Sequence, residues 1–164
     1  AAVASRKYLV QACSPITGMS AEYAEFDGSP MSRKLGWSND RHDWFYSDSY
    51  RTAANIGLDY EWFGIDEGQC AAVDRLQEFL LEDARRNQFH TYEINGTVAQ
   101  SDVLHPVAII ATVAQGSLAA NNPFTNEWIE RFWNTPMRTG VRRYYDNCLY
   151  FFAFLALSGK YRIW

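Results

Sequence analysis

Asp48, Arg51, Asn55 and Asp59 fall at i, i+3, i+7 and i+11, so on a helix they form one polar stripe beside an apolar one. A solvated face has the same pattern. This stripe, however, starts directly after the aromatic segment Trp44-Phe45-Tyr46, the kind of neighbour a ligand cleft provides. A carboxylate at a helix N-terminus with a guanidinium one turn on is favoured in its charged form by both the helix dipole and the cation. That suits a general base, which makes Asp48 and Arg51 the pair to watch. Leu104-His105-Pro106 is a second place for chemistry, although a His before a Pro at a helix start also serves as an ordinary loop or cap residue. His42, His90 and His105 share no ligand spacing with one another or with Cys13, Cys70 and Cys148. Neither a metal nor an organic cofactor is therefore expected.

Positioning these groups falls to helices. The first closes near Cys13, where Ser14-Pro15 and Thr17-Gly18 supply turn chemistry. A loop over roughly 14–46 follows, and a loop of that length in a compact domain is usually functional. The second helix is expected over 47–63 with Ser47 as N-cap, and the third from Ile65-Asp66-Glu67 to Asn87. Asn95-Gly96 between β-prone runs in 91–98 signals a hairpin, read as a small excursion rather than part of a sheet. Further helices are expected over 106–120, 125–134 and 141–157, the last ended by Ser158-Gly159. About six helices with long loops give an all-α architecture.

At 164 residues and 18.8 kDa the chain is one domain or part of one. It opens Ala1-Ala2-Val3-Ala4 with no N-cap ahead of the pattern, so it is expected to start inside a larger protein. A net charge of −4 and a pI near 5.3 leave no basic excess for nucleic acid. The longest apolar-rich stretch, 148–157, falls short of the about 18 residues a membrane span needs. Three dispersed cysteines read as buried free thiols and lean towards a reducing cytoplasm. Aromatic residues reach 16%, which means a ring-packed core, a ring-lined groove, or both. Phe79, Phe89, Phe132, Phe151, Phe152 and Phe154 sit at helical spacings and are expected in the core. Tyr23, Trp37, Trp44, Tyr46, Tyr144 and Tyr145, in loops or at helix starts, are candidates to line a groove for a planar or sugar-like ligand. Asp27 is expected to support its own turn.

Phe45-Tyr46-Ser47-Asp48-Ser49-Tyr50-Arg51 with Asn55-Ile56-Gly57-Leu58-Asp59-Tyr60 resembles the Asp-(Ala/Ser)-x-Arg helix start of glycoside hydrolase family 8. Tyr23-Ala24-Glu25-Phe26-Asp27-Gly28-Ser29-Pro30 precedes this stretch, and Leu104-His105-Pro106-Val107, Phe132-Trp133-Asn134-Thr135-Pro136, Arg142-Arg143-Tyr144-Tyr145-Asp146-Asn147 and the closing Leu157-Ser158-Gly159-Lys160-Tyr161-Arg162-Ile163-Trp164 follow it in one order. Together they resemble the reducing-end xylose-releasing exo-oligoxylanase branch of that family, over essentially the whole chain. The resemblance implies half of an (α/α)6 barrel, with residues 1–164 as the C-terminal half of one catalytic domain and the N-terminal half as its partner. It implies inverting hydrolysis of β-1,4-xylo-oligosaccharides, with Asp48 as general base and Arg51 beside it. The general acid is a glutamate of the N-terminal half, so this chain alone is expected to lack it. Leu104, His105 and Pro106 would wall off the cleft beyond the reducing-end sugar, and Tyr23, Trp44, Tyr144 and Tyr145 would contribute to binding. An endo-acting xylanase of the same family, or a non-catalytic carbohydrate-binding fragment, are the alternatives.

Overall fold

A computed structural model describes residues 1–32 and 41–162; Trp37 lies outside the described residues. Seven α-helices and a small sheet make up the described chain: α1 (Ala2–Ala12), β1 (Trp44–Phe45), a 3-10 turn (Ser47–Tyr50), α2 (Arg51–Phe63), α3 (Gln69–Phe79), α4 (Leu81–Arg86), β2 (Thr91–Glu93), β3 (Val98–Gln100), α5 (Pro106–Gly116), α6 (Thr125–Asn134) and α7 (Arg143–Leu157).

Helix α5 is the centre. Every residue from Ala108 to Gly116 is buried, and α2, α6 and α7 pack around it. Its polar residues are matched inside the fold. Gln115 Nε2 donates to the Ala54 carbonyl at 3.1 Å, and the Val113 carbonyl accepts from Gln77 Nε2 at 3.0 Å. Trp128, one of the largest buried side chains, donates its indole N–H to the Gln77 carbonyl at 3.1 Å, tying α6 to α3. The α2–α5 crossing is close because Gly57 faces Gln115: a Cβ on Gly57 would stand 2.4 Å from the Gln115 carbonyl oxygen.

Several expected boundaries shift, each for a local reason. The third helix starts at Gln69, since Asp66 spends its carboxylate capping the turn, accepting from the Gly68 N–H at 2.7 Å. It also breaks at Leu80 (ψ −1°), which lets Leu80 and Leu81 both enter the core. Residues 117–120 continue α5 only as tight turns bonded three residues back, not as α-helix. The first turn of the expected second helix is 3-10, and the last helix begins after Arg142, which adopts a left-handed φ of 66°. The 91–98 hairpin forms, but it belongs to a three-stranded antiparallel sheet of order β1-β2-β3, with Trp44 opposite Glu93 and Phe45 opposite Tyr92. The apolar pair Phe45 and Tyr92, both buried, recruits the extra strand.

The ring-packed core is partly upheld. Phe132 and Phe89 are buried and Phe79 packs against the core. Phe151, Phe152 and Phe154 are not core: they are 56%, 43% and 43% exposed. Helix α7 meets α5 through Asp146, Leu149, Ala153 and Ala156, and these positions leave the phenylalanines on other faces. All three cysteines are free thiols; Cys13 is buried and the other two half-buried.

Gly57→Ala is expected to cost about 1–3 kcal/mol through overpacking at the α2–α5 crossing, read as a lowered urea midpoint with an unchanged m-value.

Candidate active site

The segment that aims Asp48 is anchored at both ends. On its N-terminal side β1 buries Phe45 against Tyr50, ring centroids 5.0 Å apart. Tyr46 is extended, its N–H donating to Ser49 Oγ at 2.8 Å while its carbonyl accepts from the Ser49 N–H at 2.9 Å, which closes the first turn. Ser47 is then forced to a positive φ of 38°, a conformation that a non-glycine residue holds only when its surroundings fix it. Tyr145 of α7 supplies that hold, donating its hydroxyl to the Ser47 carbonyl at 2.9 Å.

Asp48 and Arg51 meet as the spacing predicts, with Arg51 Nη2 3.1 Å from Asp48 Oδ2. Both side chains are open, 40% and 48% exposed, so water and substrate can reach them. The polar stripe does not stay together beyond that. Asn55 is exposed, whereas Asp59 turns to α1 and receives a bidentate pair from buried Arg6, at 2.7 and 2.8 Å. Arg51 and Asn55 border a cleft of about 390 Å³ between α2, α5 and α7, whose other walls include Gln115, Tyr144, Tyr145 and Phe152. A phenol, an amide and exposed rings beside a carboxylate–guanidinium pair are what a sugar requires: faces to stack on and groups to hydrogen-bond hydroxyls.

His105 is drawn to the same region. Its ring lies 4.4 Å from that of Tyr145, and its Nδ1 is 3.0 Å from Asp146 Oδ2. Asp146 has no exposed surface. Its other oxygen accepts the Ala108 N–H at 2.8 Å, in the first turn of α5, and Arg138 Nη1 bridges Asp146 Oδ2 (2.6 Å) to the Leu104 carbonyl (2.7 Å). Asn147 in turn clamps the Arg138 backbone with its side-chain amide, Oδ1 accepting the Arg138 N–H at 2.9 Å and Nδ2 donating to the Arg138 carbonyl at 3.0 Å. Pro106 is the first residue of α5 and Leu104 is half-buried beside it.

Tyr144 is 82% exposed, in the cleft wall next to Tyr145. Tyr23 and Trp44 lie outside the walls of that cleft. The Tyr23 ring packs on His42 at 4.8 Å, His42 Nδ1 sits 2.6 Å from Glu22 Oε2, and the Arg41 guanidinium covers Trp44 at 5.2 Å. Asp27 does support its turn, accepting from the Ser29 N–H and hydroxyl, and these bonds hold its carboxyl below the usual range. Sequence reasoning missed Arg138, Asp146 and Asn147 as a working group. The available signal was a lone acid in the first turn of an otherwise aromatic helix, eight residues after an arginine. Among the described residues no group of His, Cys, Asp or Glu could hold a metal ion.

Comparison with known proteins gives a consistent set of relatives. The chain is 51% identical over 164 residues to the reducing-end xylose-releasing exo-oligoxylanase Rex8A of Paenibacillus barcinonensis, matching all of this chain and 42% of that protein. It is 53% identical over 169 residues to the reducing end xylose-releasing exo-oligoxylanase of Bifidobacterium adolescentis, covering 99% of this chain and 42% of the relative. The solved structure of Rex8A complexed with xylose superposes with a TM-score of 0.92 at 49% identity, over 99% of this chain and 42% of the other. These homologues are the branch that the motifs resemble, and the chain spans less than half their length. No family model matches.

Three phenols are pushed above the ordinary tyrosine range: Tyr50 by burial, Tyr92 by burial and its bond to Asp83, and Tyr145 by burial and the nearby Asp48 charge. In the unfolded chain they lose their protons near pH ~10. Above that pH the unfolded state binds fewer protons than the folded one, so stability is complete below it and falls as pH rises. Urea midpoints from pH 8 to pH 11 (roughly the window of these phenols) should decline, and Tyr92→Phe should flatten the decline.

Proposed function

We propose that this chain is the C-terminal half of an inverting glycoside hydrolase of family 8 that releases xylose from the reducing end of β-1,4-xylo-oligosaccharides. The observation that carries the reading is the open Asp48–Arg51 pair, set at the edge of a ring-lined cleft in a chain about half identical, along its whole length, to exo-oligoxylanases. Seven helices with one small sheet among the described residues fit part of an (α/α)6 barrel. The outward phenylalanines of α7 are a face that the remaining half would cover.

In this reading Asp48 takes a proton from water as the water oxygen attacks the anomeric carbon. The glycosidic C–O bond breaks, and the leaving oxygen takes a proton from a glutamic acid on the remaining half. The water approaches from the face opposite the leaving group, so the configuration inverts, which calls for carboxyl groups about 6.5–9.5 Å apart. Arg51 orients water or substrate while pairing with the base. Leu104, His105 and Pro106 close the cleft beyond the reducing-end sugar, and Tyr144 and Tyr145 line it.

Asp48→Asn in the intact protein should lower xylotriose turnover by about 10²–10⁴-fold with the circular dichroism spectrum unchanged; near-normal turnover removes Asp48 as the base. Product analysis on xylohexaose separates the reducing-end exo mode, which gives xylose and xylopentaose first, from an endo mode, which gives a spread of oligomers.

A further inference from the structure

His105 Nδ1 faces a carboxylate oxygen, so that nitrogen carries a proton and donates it. The carboxylate has no freedom to do otherwise. Both its oxygens are occupied, by the Ala108 N–H on one side and by Arg138 and His105 on the other. Arg138 uses the same nitrogen to grip the Leu104 carbonyl, so the residue before His105 is tied to the carboxylate that holds His105 itself. On its other face His105 meets Tyr145, whose hydroxyl holds the turn carrying Asp48. Two consecutive residues of α7 thus fix the position of the proposed base and the position of the proposed cleft wall.

Resting on the function proposed above, we propose that Asp146, held by Arg138, is a positioning residue that sets the tautomer and orientation of His105 and thereby confines cleavage to the reducing-end bond. Asp146 reaches no substrate, being fully buried; it acts through His105 and Leu104. An amide in its place cannot serve, because only one of its two terminal atoms accepts hydrogen bonds, and three donors on two sides need acceptors.

The test uses the intact protein with Asp146→Asn, Arg138→Gln and His105→Ala, alone and combined. Xylohexaose labelled with 13C in its reducing-end sugar reports the ratio of terminal to internal cleavage, and long-range 1H–15N spectra report the histidine tautomers. The expected result for Asp146→Asn is loss of the His105 Nδ1-protonated signature and a fall of about tenfold or more in the terminal-to-internal ratio. The same change should add nothing in the His105→Ala background. If Asp146→Asn does not fold, Arg138→Gln, which keeps the carboxylate, should still lower the ratio through loss of the Leu104 tether. A folded variant with an unchanged ratio and unchanged tautomer, or an equal fall in the His105→Ala background, overturns the proposal. If the unmutated protein shows no xylo-oligosaccharide turnover, the functional reading fails by itself. The tautomer then decides this one: its loss in Asp146→Asn supports the positioning role and its persistence refutes it.

Discussion

A carboxylate with no exposed surface must have its charge matched on every side, and Asp146 is such a group. The fold meets the requirement by bringing the start of α5, the segment carrying Arg138 and the first turn of α7 to one point. The α5–α7 pair is also the most extensive helix contact among the described residues. The orientation of α5 is therefore fixed at its N-terminus by charge and along its length by burial. Removing one partner would strand the other in a dry interior, so the cluster either forms whole or leaves a buried charge unpaired.

With α5 so fixed, the rest of the packing follows from side-chain size. Gly57 lets α2 approach the Gln115 backbone, and Ala153 and Ala156 let α7 approach from another direction. Close helices leave little room for rings between them. The large aromatics go elsewhere: Trp128 and Phe132 fill the core from α6, Phe45, Tyr50 and Tyr92 from the sheet and the 3-10 turn, and the phenylalanines of α7 turn outward. Phe151, Phe152 and Phe154 are exposed for this reason, and helical spacing could not have shown it, because a hydrophobic helix has more apolar positions than one neighbour can cover.

The site was legible where it depended on local spacing. Asp48 and Arg51 are three residues apart on one turn, and their pairing was readable directly. Tyr144 and Tyr145, at the start of a helix, were expected at a cleft, and both line the cavity between α2, α5 and α7. The partition of the polar stripe was not legible: Asp59 is drawn away by Arg6, which is 53 positions distant, and nothing near Asp59 signals it. Nor was the third strand, since Trp44–Phe45 is too short to read as β until Tyr92 is beside it.

By itself the sequence determined most of the helical segments, the hairpin at Asn95-Gly96, the pairing of Asp48 with Arg51, and the likeness to reducing-end xylose-releasing exo-oligoxylanases that the comparisons bear out. Tertiary structure alone decided which acids stay open to water and which hold the frame. Asp48, Asp59 and Asp146 are the same residue type, each within a helix or helical turn. What separates them is whether the partner is a neighbour on the same turn open to water, a buried arginine from α1, or three donors converging from two other segments. Long-range burial sets that difference, because the strength of a charge depends on how much water remains around it.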